Sequence, residues 1–134
     1  MELPSGFLDS GEVFLEPDGE ELKAEEIEKL FSPLGFYTVR LDGAVVKGKK
    51  DLLSALAAGF KFPAYFGHNW DALLDCLRSL PAFIRARGYA VIIERSGLFL
   101  KDSPADMEDF RDIAETAAGF LLEKYKLPFK IVLL

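Results

Sequence analysis

Cysteine, histidine and tryptophan each occur once in this chain of 134 residues, as Cys76, His68 and Trp70. A single thiol excludes an internal disulfide framework and suits a reducing cytoplasm. One histidine and one cysteine cannot build a Cys/His metal cluster. No stretch approaches the roughly 20 apolar residues of a membrane span. The opening Met-Glu-Leu-Pro-Ser-Gly lacks the basic start and apolar run of a secretion signal. There is no phosphate-binding glycine loop and no Ser–His–Asp set that spacing singles out. The basic patches, Lys47, Lys49 and Lys50, then Arg85 and Arg87, are short and lack interleaved stacking aromatics. Direct nucleic-acid binding is therefore disfavoured. The expectation is a soluble, cytoplasmic chain with no cofactor, no metal and no membrane attachment.

What is present supports one globular domain. Hydrophobic residues make up 50% of the chain and the mean hydropathy is +0.14, ample for a core. The net charge of −6 is unevenly spread. Residues 1–35 carry ten acidic and two basic side chains, a balance of −8, whereas residues 36–134 carry twelve and fourteen, a balance of +2. Attraction to a basic partner must therefore come from local placement of carboxylates, helped by the N-terminal extension.

Along the chain, strands alternate with helices. Val13–Glu16 reads as a short strand stopped by the turn sequence Pro17-Asp18-Gly19. Glu20–Phe31 has helical apolar spacing at Leu22, Ile27, Leu30 and Phe31, ended by Ser32-Pro33. Phe36–Leu41 is a strand closed by Asp42-Gly43. Lys50–Phe60 is a helix with Leu52, Leu53, Leu56 and Ala57 inward and Gly59 at its end. A helix follows from Asn69 to Leu80 and stops before Pro81. Tyr89–Glu94 is almost wholly apolar, as a strand covered on both faces should be. Pro104–Tyr125 is a long helix capped by Ser103, and Phe129–Leu134 a last strand. This order predicts an α/β fold with a parallel sheet packed by helices. Residues 13–31 form a crossover unit with the strand at Phe36–Leu41, adding a fourth strand at an edge. The competing reading of residues 1–20 is a disordered acidic tail.

The segment Phe62–Leu77 is the most informative. A Pro- and Gly-punctuated turn feeds a helix for which Asn69 is a good N-cap, and Asp71 complements the helix dipole in the first turn. At about 100° per residue, Leu73, Cys76, Leu77 and Leu80 share one side and dock the helix. Asp71, Leu74, Asp75 and Arg78 share the other. Two acids four residues apart are ordinarily a solvated surface pair, weakly repelling. Tyr65 is ordinarily a half-buried ring over its loop, Gly67 a turn residue with positive φ, and Cys76 an inert buried thiol.

The same residues carry a resemblance. Pro63, Tyr65, Gly67, Asn69, Asp71, Ala72, Leu73, Asp75, Cys76 and Leu77 fit, without a gap, the signature segment of the barstar family of ribonuclease inhibitors. By order of elements the resemblance runs from Phe36 to Leu134, a barstar-like domain of 36–134 preceded by an acidic extension of 1–35. It implies a barstar-like parallel sheet of three strands packed by helices, and a monomer without catalytic activity. It also implies that Tyr65, Gly67, Asn69, Asp71, Leu74 and Asp75 meet a barnase-type or other small ribonuclease or toxin. The acids would then stand in for RNA phosphate. Three positions depart from the pattern. Leu74 stands where the best-known member has tryptophan, His68 replaces a carboxylate, and Arg78 sits one turn beyond Asp75, close enough to compete for it. On the last helix, Glu123 is the nearest acid to one that the family uses. These departures point to a surface tuned to another ribonuclease or toxin. Two other readings stay open: an interaction module of the same fold binding a non-nuclease partner, and an enzyme using a His68–Asp71 metal pair.

Overall fold

The computed structural model describes residues 11–17 and 22–134. Four strands form one all-parallel sheet: β1 (Phe14–Leu15), β2 (Phe36–Asp42), β3 (Gly88–Glu94) and β4 (Phe129–Leu133), in the spatial order β1-β4-β3-β2. Register is fixed by Val39 opposite Val91, Val91 opposite Ile131, and Phe14 opposite Ile131 on the other side of β4. The helices are α1 (Ala24–Phe31), α2 (Lys49–Gly59), α3 (Trp70–Arg78), α4 (Leu80–Phe83) and α5 (Pro104–Tyr125). Among the described residues no helix is long and apolar enough to cross a membrane.

Because side chains alternate along a strand, the central strands divide their apolar residues between two layers. Val39, Leu41, Val91, Ile93 and Ile131 join the inward residues of α2, α3 and α5 in the larger core. Ala90, Ile92 and Val132 point the other way and are covered by Ala24, Ile27 and Phe31 of α1, all fully buried. The near-continuous apolar run of β3 thus has a cause: as a central strand it is covered on one face by α1 and on the other by the larger core.

The expected leading strand exists but is two residues long, and it pairs with β4, not beside β2. The added strand closes the far edge of the sheet, and α1 crosses the open face to reach β2. Three strand spacings, about 14 Å, separate the two edges. The Val13 carbonyl accepts from Ile131 N–H (2.8 Å), and Phe14 meets Phe110 of α5 edge-on at 6.1 Å. The turn at Asp18-Gly19, the first residues of the expected helix at Glu20, and most of the segment for which a disordered tail competed lie outside the described residues. Pro81 does not simply stop the chain after α3. Pyrrolidine suits the first turn of a helix, where no N–H partner is required, so Pro81 opens the short α4.

Candidate functional site

The approach to α3 is built from the sheet outward. At the end of α2, a side chain on Gly59 would collide with Val39 Cγ1, so only glycine lets the helix end lie against β2. Tyr37 Oη donates to the Gly59 carbonyl at 2.7 Å and locks that approach. Lys61 then takes a left-handed conformation (φ 55°), and the chain turns again at Pro63–Phe66, closed by Phe66 N–H donating to the Pro63 carbonyl at 2.9 Å. Phe66 is buried against Phe62, with ring centroids 5.1 Å apart, in a series that continues through Phe60 to Phe129. Since Phe66 takes the anchoring position, its neighbour Tyr65 is left at the tip and is 81% exposed.

The left-handed residue of the following turn is His68 (φ 48°), not Gly67, which corrects the expectation for the glycine. What Gly67 supplies is space. A Cβ there would lie 3.1 Å from Asn69 Nδ2, the atom that donates to the Gly67 carbonyl at 3.2 Å. The ring of His68 lies on Phe66, with centroids 4.7 Å apart, and its Nδ1 is 3.1 Å from the Phe66 carbonyl oxygen. A carbonyl only accepts, so the Nδ1 atom carries the proton. His68 is thus occupied in holding the turn. Among the described residues no three potential metal ligands converge, and nothing joins the His68–Asp71 pair.

Asn69 caps α3, its Oδ1 accepting from Ala72 N–H at 2.8 Å. A side-chain cap of this kind is worth about 1 kcal/mol and fixes where the helix starts. Leu73 and Leu77 are fully buried and Cys76 nearly so. Burial, and secondarily the neighbouring Asp75 charge, pushes the Cys76 thiol up, consistent with an unreactive core residue.

Asp71 and Asp75 are exposed on the opposite side. Among the described residues neither lies within 4.0 Å of a cation: the ion pairs are those of Arg40 with Glu25, Glu28 and Glu94, and of Arg95 with Asp42. The expected competition of Arg78 for Asp75 does not occur, because the guanidinium is turned onto the ring of Phe120 in α5, 5.5 Å from its centroid. Leu74 is half-buried and packs against the main core, so it is less an outward contact than helical spacing suggested. Lys49 Nζ lies 5.3 Å above the Trp70 ring at the start of the helix. The face therefore presents two unneutralised carboxylates on a capped, docked helix, with a projecting tyrosine beside its N-terminus.

The family model described as Barstar (barnase inhibitor) matches residues 36–134. The chain belongs to the barstar family. No curated protein matches the sequence. Barstar-family membership implies, at the level of the family, inhibition of barnase-type ribonucleases and not catalysis. The match begins at the first residue of β2, so β1 and α1 lie before it. Within the barstar-family segment, sequence reasoning overlooked Phe120 and Lys124 of α5, which flank the exposed face of α3 through Arg78. The available signal was an aromatic and a cation four residues apart on one helix.

Proposed function

We propose that this protein binds a barnase-type ribonuclease and occludes its active site, with Asp71 and Asp75 mimicking the phosphates of RNA. The observation that carries the reading is the exposed acid pair, without a cation partner among the described residues, on a capped helix in a chain of the barstar family. Carboxylates held this way can pair bidentately with arginines shaped to grip phosphate. Barnase–barstar itself is the standard example of electrostatically steered association and of an aspartate hot spot, and the present reading extends that chemistry to this chain.

Tyr65 supplies a ring for stacking at the cleft mouth, Gly67 an accessible backbone, and Asn69 and Leu74 the support that holds the acids in place. Residues 36–134 form the binding unit, and residues 1–35 are an extension whose α1 shields the second face of the sheet. The protein acts as a monomer in the cytoplasm, protecting the cell that makes the nuclease. Stopped-flow association with a panel of barnase-type ribonucleases tests the reading. Binding should slow steeply as salt rises, because exposed charges are screened over about 10 Å at 0.1 M. A salt-independent rate, or capture of a non-nuclease protein that Asp75→Ala does not disturb, would favour the interaction-module reading.

A further inference from the structure

The outward stripe of α3 does not end at its acids. Arg78 lies three residues past Asp75, and on α5 its guanidinium meets Phe120, whose ring is also approached by Lys124 Nζ at 5.4 Å. Tyr125 completes the group, edge-on to Phe120 at 6.2 Å and 5.3 Å from the same ammonium. Two cations from two helices thus converge on the Phe120 ring. Among the described residues neither cation has a carboxylate within 4.0 Å, whereas Arg40 has three and Arg95 has one. Arg78 Nε is shut away from solvent without a hydrogen-bond partner. The cluster is nonetheless reachable: Lys124 and Tyr125 are exposed, and Leu122 beside them is 53% exposed.

Complementing a helix dipole accounts for a cation near each C-terminus. It does not account for their meeting over one ring, nor for an arginine nitrogen buried unpaired. We infer that this cluster is the basic half of the partner-facing surface, and that it receives a carboxylate at the rim of the nuclease's basic cleft. The inference rests on the ribonuclease reading and adds the chemistry of the partner. A guanidinium held against a ring, and weakly hydrated there, offers its remaining N–H donors to an incoming carboxylate. Arg78 and Lys124, placed beyond the two acids, also act against wrong partners. A nuclease with a basic cleft and a basic rim would face like charge at Arg78 and Lys124.

The test begins with the member of a panel of barnase-type ribonucleases that wild-type protein inhibits most strongly. Residues around its cleft mouth are replaced singly by glutamate and by lysine. Inhibition constants are then measured for wild type, Lys124→Glu, Arg78→Met and Asp75→Ala. Lys124 is exposed, and Arg78→Met keeps an apolar stem over Phe120, so both variants should fold. At one or more rim positions, wild type should prefer the glutamate form over the lysine form by at least tenfold. Lys124→Glu should reverse that order and Arg78→Met should reduce it. If no position shows such a preference while Asp75→Ala still costs tenfold or more, the inference fails and the ribonuclease reading stands. If wild type inhibits no member of the panel, both fall together.

Discussion

Two charged surfaces of this molecule are built on opposite rules. On the α1 side of the sheet, Arg40 projects between Glu25, Glu28 and Glu94 at 2.9, 3.4 and 3.5 Å, so that each of these carboxylates has a cation of the protein beside it. On the α3 side, Asp71 and Asp75 stand with no cation of the described residues inside 4.0 Å, although Arg78 is only one turn away. Apart from Asp71 complementing the dipole of α3, the second arrangement gains little for the fold, since like charges at this spacing repel by a few tenths of a kcal/mol. On the proposed ribonuclease reading, the difference separates charge that assembles the structure from charge held available for a partner. It also shows how Arg78 is kept from neutralising its neighbour: an aromatic ring on α5 takes the guanidinium instead.

The contrast can be broken most sharply at Asp75. Replacement by alanine should weaken inhibition of the cognate ribonuclease at least tenfold, about 1.4 kcal/mol, while Tm stays within error; calorimetric titration beside a melting curve is the check. Asn69→Ala comes next. Losing the cap should lower stability by about 1 kcal/mol in a denaturant titration, with a smaller loss of binding as the first turn frays. On the other surface the sign of the comparison reverses. Arg40→Gln should produce a small drop in Tm and leave inhibition unchanged, because exposed ion pairs contribute little and this one faces away from α3. A large loss of inhibition in that variant would mean that the two surfaces are not independent.

Acid gives the gentlest test. Glu25 is held below the ordinary carboxylate range by a hydrogen bond from its own backbone N–H and by Arg40, and Asp42 by the Arg95 guanidinium. Groups with depressed folded-state pKa values add stability above the unfolded value, near 4, and lose it as pH falls through the folded one. Amide exchange in α1 should therefore accelerate at pH values below that range before α3 is affected. Equal responses of the two helices would remove the distinction.

Much of this was legible in the sequence, for reasons that differ by element. The long helix Pro104–Tyr125 has the predicted ends, and its start is legible because proline at the first position leaves a local signal. β3 was legible from composition alone. The short β1 and its place beside β4 were not, because two residues carry no periodicity and pairing partners are set by the tertiary arrangement. At the candidate site the residue types and spacing identified α3, its cap and its outward acids. Helical angle alone misplaced Leu74, which the neighbouring layers half cover, and it could not foresee Phe120 drawing Arg78 across to α5. Gly67 was misread because the left-handed turn could have fallen on either of two adjacent residues. His68 tolerates it because its ring packs on Phe66.

The division of labour within Pro63–Phe66 has a corollary. Phe66 fastens the loop, so whatever occupies position 65 is displayed regardless of its chemistry. That site is a socket whose contents can be swapped without refolding the scaffold, and on the proposed reading a substitution there alters the contact with the nuclease and not the fold.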